Sequence, residues 1–342
     1  MTLELIIIGL GKRVTGCALP AIAAAGEEVR VRGIFARTER SEEIGGTTVK
    51  VRALESLTAA DLASKPTVYL CVPKTEIPAV LRQLAALDPS AADLFIDTPV
   101  VRLKDFRHAG LLDCWRKVSV AEDCARMPWV ELLLAAQGEP LGKLKEVVFE
   151  HSAYAYHGVA TARALAEGSE VVSARRHKNP AGSVRLLDYM NGFSCEIVDP
   201  RDYSQGRILA RYENNLVSDQ PAAGESALAV EISLDGEGAI TALRLGETEV
   251  ILDDGERSLT LGDHPDATLI ARQEAMKRVG FLRLLRELAR GQAGYPLWDG
   301  LEDMVVDHSL ERLGRYRSSY FTSPRHRTAR WVYGLVSRIA GG

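Results

Sequence analysis

The N-terminal stretch Leu3-Glu4-Leu5-Ile6-Ile7-Ile8-Gly9-Leu10-Gly11-Lys12-Arg13-Val14-Thr15-Gly16 constrains this chain more than any other. A short β-rich apolar run reads as a buried parallel strand. It ends in glycines, and an alanine-rich helical segment follows over residues 14–25. A βαβ unit that binds a dinucleotide begins in this way. Gly9 permits the tight turn out of the strand. Gly11 has no Cβ to hold the backbone away from a pyrophosphate, and the free N–H groups of the helix point at the phosphates. A third glycine is expected three residues after the second. Val14 stands there and Gly16 comes two residues late, so the fingerprint is incomplete and its strand-before, helix-after context carries the reading. A plain structural turn is the alternative.

The pattern continues through the first 120 residues. Segments 29–36, 47–51, 68–72, 94–97 and 118–120 read as strands, with Pro73 and Pro99 closing two of them and a helix over 77–87. Strands alternating with helices imply a parallel sheet covered on both faces. Beyond that the order changes. Residues 128–136 and 159–166 read as helices and 144–153 as a strand. Several strand signals follow between 171 and 251, separated by Asn191-Gly192, Asp235-Gly236 and Asp254-Gly255 as hairpin turns. Helices return over 268–289 and 300–316. Strands in series followed by helices indicate a second, α+β domain. The expected division is 1–121 for dinucleotide binding and 122–342 for substrate and oligomer contacts.

With 342 residues, 46% apolar and 26% charged, the chain has ample length to bury a core. A formal charge of -4 argues against a general nucleic-acid binder. No apolar run approaches the roughly 20 residues of a membrane span, and residues 3–8 are too short for a signal sequence. The five cysteines, Cys17, Cys71, Cys114, Cys124 and Cys195, are odd in number and form no CxxC pair. Free thiols in a reducing cytoplasm are expected, with no disulfide framework and no metal site.

At this point the residues resemble the Gfo/Idh/MocA oxidoreductases, diffusely but through most of the chain. Gly9-Leu10-Gly11 is similar to the family's first glycines. Leu70-Cys71-Val72-Pro73 resembles its proline-terminated strand beside the nicotinamide, which implicates Cys71, Val72 and Pro73. Phe95-Ile96-Asp97-Thr98-Pro99 stands where the family has a strand ending in Glu-Lys-Pro. Met127-Pro128, with Gly138 and Leu141-Gly142-Lys143, is similar to its entry into the second domain. Tyr156-His157-Gly158-Val159, with Ala162-Arg163-Ala164-Leu165, resembles the helix bearing its active-site histidine, and residues 297–308 a late segment near the substrate. The resemblance implies an α/β plus α+β fold: an N-terminal Rossmann parallel sheet and a C-terminal α+β open-sheet domain. It also implies a homo-oligomer, because that open sheet often forms the family's subunit interface. The departures matter equally. Thr98 replaces the family lysine and Asp97 the glutamate; Ala160 and Ala153 stand where aspartates often flank the histidine. His157 remains.

Cofactor choice is read at the end of the second strand. An acid there would accept a ribose 2′-hydroxyl, but Arg37 and Thr38 occupy the place, with Arg40 behind. Arginine pairs with a 2′-phosphate through charge-assisted bonds, so NADP(H) is favoured over NAD(H); a solvated loop is the alternative. Lys12 and Arg13 either add positive charge near the phosphates or face water. Asp97 and Thr98 end a strand at the carboxyl edge, where such sheets bind ligands.

Hydride transfer to C=O or C=N needs a proton donor. His157 titrates near neutrality. Tyr154 and Tyr156 would share one face of an incoming strand, with packing as their other role. Glu122 and Asp123 are further candidates, or simply a favourable helix start. His177 sits in a short basic run, and His308 on a late helix with Asp303 and Asp307. The basic and apolar tail, 325–339, suits a helix closing the fold or a dimer contact, with docking on an anionic membrane surface as the alternative. The expectation is an NADP(H)-dependent oxidoreductase acting on a small polar metabolite. The alternatives are a nucleotide-binding protein of the same fold without catalysis, and non-net-redox use of the nicotinamide.

Overall fold

The computed structural model describes residues 2–44, 46–180, 182–262, 268–318 and 329–334. The chain divides into two compact units. Met1–Glu122 belongs to the first with Phe281–Met304 and Ala329–Gly342; Asp123–Gly280 and Val305–Thr328 form the second.

The first unit is built on strands β1 (Leu3–Ile8), β2 (Val29–Ala36), β3 (Arg40–Ile44), β4 (Thr47–Ala53), β5 (Thr67–Leu70), β6 (Asp93–Asp97) and β7 (Lys117–Ala121). Their order is β7-β6-β5-β1-β2-β4-β3, and a two-residue strand, Tyr295–Pro296, adds antiparallel to β7. All the other pairs are parallel except β3 with β4. The centre is apolar on both faces, as a covered parallel sheet requires. Leu5, Ile7, Ile8, Val68, Leu70, Leu94 and Ile96 are buried, and Tyr69, Phe95 and Phe281 form a ring trio at 5.3–5.6 Å between centroids. The strand β3 had no sequence signal. Its Arg-Ser-Glu-Glu-Ile run is polar because it is an edge strand, and charge there discourages pairing with other chains.

The second unit holds β8 (Leu144–Glu150), β9 (Val171–Asn179), β10 (Gly182–Tyr189), β11 (Ser194–Asp199), β12 (Arg207–Tyr212), β13 (Leu216–Ser218) and β14 (Leu228–Ala229). They form one sheet in the order β14-β13-β12-β8-β11-β10-β9, edged by Arg315–Arg317. It is mostly antiparallel, with parallel pairs β8/β11 and β13/β14. The strands β15 (Glu231–Leu234), β16 (Ile240–Leu245) and β17 (Thr248–Ile251) make a separate antiparallel sheet.

Helices Pro128–Ala135 and Ala155–Leu165 cover one face of the large sheet. Trp129 packs edge-on against Phe149 at 6.0 Å. A Cβ on Gly158 would come 2.7 Å from Ile197 Cδ1, so the helix lies close against β11 here. The opposite face carries half-buried Val148, Val184, Leu186, Val198 and Leu209.

Three local expectations are corrected. The strand expected to run to residue 153 ends at Glu150, and the helix begins at Ala155. Tyr154 and Tyr156 therefore do not share a strand face: Tyr154 is exposed and Tyr156 buried. Asp254-Gly255 is not a hairpin turn. It opens the helix Asp254–Ser258, because Asp253 and Glu256 form a capping box that satisfies two otherwise free N–H groups. The late helices run Gln273–Ala289 and Leu297–Leu313. Most of the tail 325–339 lies outside the described residues. No helix among those described is long and apolar enough to cross a membrane.

Candidate functional site

The carboxyl ends of β1, β2 and β5 meet a cavity of about 740 Å³ in the first unit. It lies where the strand order reverses on either side of β1, the place at which open parallel sheets bind ligands. Gly9 shapes it. Its φ is +103°, and a Cβ there would lie 1.9 Å from the Cys71 carbonyl oxygen. Its N–H donates to Phe35 O at 2.7 Å, fastening the turn to β2. Gly11 has the opposite environment: nothing lies within 4 Å of its Cβ position, so its backbone is open to a ligand. The chain is helical from Lys12 to Ala24, with a widened π turn over Val14–Ala18.

Of the residues singled out in the sequence, Gly9, Gly11, Lys12, Arg13, Arg37, Thr38, Cys71, Val72, Pro73 and Asp97 line this cavity, and Arg40 joins them. Val14 and Thr98 do not. Val14 is fully buried in the helix that follows the turn, and Thr98 is buried just beyond β6.

Asp97 is the electrostatic centre of the cavity. Its carboxylate accepts from Arg13 Nε at 3.4 Å, Lys74 Nζ at 3.4 Å and the Cys71 thiol at 3.5 Å. Burial, reinforced by the Asp97 charge, pushes the Cys71 thiol up to about 12, so it remains a neutral donor. At the β2 end Arg37 is exposed and lies 3.7 Å from Glu76.

Sequence reasoning missed Lys74, Glu55 and Glu76 as lining residues. Lys74 was within reach. It directly follows Pro73 in a loop at the carboxyl edge, where ligand-binding residues concentrate.

In the second unit Tyr154 and His157 line a cavity of about 10 Å³ with Cys124, Tyr203 and Gln273. His157 is half-buried, with its ring edge-on to Tyr156 at 5.7 Å. The fold brings possible ligand atoms of Asp123, Cys124 and His157 within 4.8 Å of one another, a grouping no sequence spacing announced. Lys277 stands beside them. Burial works against its ammonium, but Cys124, Tyr203, Asp123 and Glu274 together hold its pKa above the ordinary lysine range. This anionic corner is thus already met by a cation of the protein. Glu122 and Asp123 are both buried. Asp307 is engaged by Arg185, and Asp303 accepts from the Tyr295 hydroxyl.

No family model matches the chain, and no curated protein matches it in sequence. Solved structures do match it in fold. An oxidoreductase from Agrobacterium radiobacter in complex with NAD+, L-tartaric acid and magnesium superimposes with a TM-score of 0.59 at 13% identity, covering 93% of this chain and 98% of that one. An inositol dehydrogenase homolog from Azotobacter vinelandii with NADH and myo-inositol gives 0.55 at 14% identity, over 93% and 98%. The WlbA dehydrogenase from Bordetella pertussis with NADH and UDP-GlcNAcA gives 0.56 at 13%, over 93% and 99%. This chain has the two-part fold of these oxidoreductases. The fold is the one that the resemblance in sequence implied.

Proposed function

We propose that this protein is an NADP(H)-dependent oxidoreductase that reduces a carbonyl or imine, or oxidises an alcohol, of a small polar metabolite. The observation that carries the reading is the cavity at the β1 switch point, with Gly9 closed against Cys71, Gly11 open and a helix starting behind them. Its volume suits a ligand of this class, for which pockets run from about 300 to 1,000 Å³. The first unit binds the dinucleotide, and the second carries substrate and subunit contacts.

The preference for NADP(H) rests on Arg37 and Thr38 just after β2, where NAD-specific sites place a carboxylate, and on Arg40 at the start of β3. The dinucleotide supplies or accepts the hydride. The matching proton falls to His157, which is half-buried and carries an imidazole, the usual proton-transfer group, rather than to buried Tyr156 or exposed Tyr154. The polyhydroxylated and acidic ligands bound by the structural neighbours support a small polar substrate. Free cysteines support a reducing cytoplasm, and the half-buried apolar residues on the opposite face of the large sheet support a homo-oligomer.

Fluorescence titration with NADPH and NADH tests the reading. Saturable binding, tighter for NADPH, is expected. Folded, nucleotide-free protein that binds neither would end it. Tight binding with no turnover across a carbonyl panel would favour a nucleotide-binding protein without catalysis.

A further inference from the structure

The cavity has two ends. The loop after β2 supplies one through Arg37 and Thr38, with Arg40 at the start of β3, while the loop after β5 and the end of β6, on the other side of β1, supply the other through Cys71, Pro73, Lys74 and Asp97. A dinucleotide with its pyrophosphate over Gly9–Gly11 and its adenosine over β2 sends its nicotinamide toward β5 and β6. At that end the Lys74 ammonium lies 3.4 Å from Asp97, with its side chain 29% exposed against 13% for Asp97. The lysine therefore has one fixed partner and open space in the cavity. An ammonium carries three donors, so it keeps the carboxylate and still donates to a second oxygen. Arg13 also reaches Asp97, but its guanidinium lies over the Phe281 ring, 5.4 Å from the centroid, and is committed there.

A carbonyl that receives a hydride develops negative charge on oxygen, and a prefixed cation at that oxygen stabilises the transition state more than the ground state. We propose that Lys74, positioned by Asp97, donates a hydrogen bond to the substrate oxygen beside the nicotinamide. The substrate class is then a carbonyl compound or its alcohol rather than an imine, because an ammonium favours an oxygen that becomes anionic. This rests on the dinucleotide reading above.

Sulfite tests it without a known substrate. It adds to C4 of a bound NADP+, its sulfur lone pair forming the C–S bond while the pyridinium becomes a dihydropyridine, and the added group is an anion at the hydride position. The near-ultraviolet absorbance of the adduct, titrated with sulfite at saturating NADP+, reports the cation there. The wild-type protein is expected to bind sulfite far more tightly than free NADP+ does. Lys74→Met and Lys74→Gln should each weaken the adduct about tenfold, the worth of one charge-assisted bond, and Lys74→Arg should restore most of it. NADP+ affinity of the neutral variants, measured separately, should stay close to wild type. An adduct unchanged in both neutral variants, or a wild-type adduct no tighter than that of free NADP+, would overturn the role of Lys74. So would a tenfold loss of NADP+ affinity itself, which would make Lys74 a dinucleotide-binding group. Wild-type protein that binds no dinucleotide would instead overturn the reading on which the role depends.

Discussion

A Cβ on Gly9 would sit 1.9 Å from the carbonyl oxygen of Cys71, so the first glycine of the turn and the loop after β5 are in backbone contact. That contact is what lets β1 and β5 end at one cavity. Gly9→Ala would need both a positive φ and a displaced carbonyl. We expect a loss of about 3 kcal/mol or more together with loss of dinucleotide binding. Urea unfolding and NADPH titration of the variant check this. Gly11→Ala, with open space around its Cβ position, should fold like wild type and lose only affinity.

Arg37 lies at the β2 end of the cavity and pairs with Glu76 at 3.7 Å, both side chains exposed. That pair stabilises the fold little, so Arg37 is free to meet a 2′-phosphate. Arg37→Gln is expected to cut NADPH affinity about tenfold and to leave NADH affinity within twofold. Equal loss for both cofactors would place Arg37 on the pyrophosphate or in a structural role.

How much of this was legible in the sequence follows from how local each signal is. The strand Leu3–Ile8 and its glycines were legible because a buried parallel strand and a tight turn leave marks within a dozen residues. The hairpin strand β3 was not, since an exposed edge strand need not be apolar. The face-sharing of Tyr154 and Tyr156 failed on one residue. Ala155 adopts a φ of +40°, the chain turns there, and period-two alternation no longer holds. The grouping of Asp123 and Cys124 with His157 depends on contacts between segments far apart in sequence, which spacing cannot show.

Asp219 gives a pH prediction. Burial raises its carboxyl to about 6, despite opposing pulls from the Ile208 N–H, which donates to it at 2.6 Å, and from Arg207. In the unfolded chain it titrates near 4. Between those values the native state holds more protons than the unfolded state, so stability falls as pH rises through this window. The contribution is about 3 kcal/mol in order of magnitude, fully lost above pH 6. Asp219→Asn keeps an oxygen for Ile208 and removes the titration. The variant should gain on wild type in urea midpoint between pH 4 and pH 7. A constant difference across that range would show that Asp219 does not titrate there.

Arg185 is a buried charge of the second unit that three carboxylates meet. It is buried on β10, donating to Asp199 at 3.1 Å, to Asp307 at 2.5 Å and to Glu311. It ties its own strand and β11 to the helix Leu297–Leu313. Burial raises the Asp307 carboxyl even though Arg185 pulls it down, so removing the arginine leaves Asp199 and Asp307 without the cation they share, while Glu311 keeps its bond from Arg176 at 2.6 Å. Arg185→Met is expected to cost about 3–5 kcal/mol at neutral pH, the usual result of breaking a buried pair from one side. The sign of its pH dependence separates this cause from simple loss of packing. With the cation gone, Asp307 protonates at a higher pH than in wild type, and the penalty shrinks as acid neutralises the cluster. The deficit in urea should therefore be smaller at pH 5 than at pH 7.5. A deficit equal at both would mean that the stem of Arg185, not its charge, holds β10 to the helix.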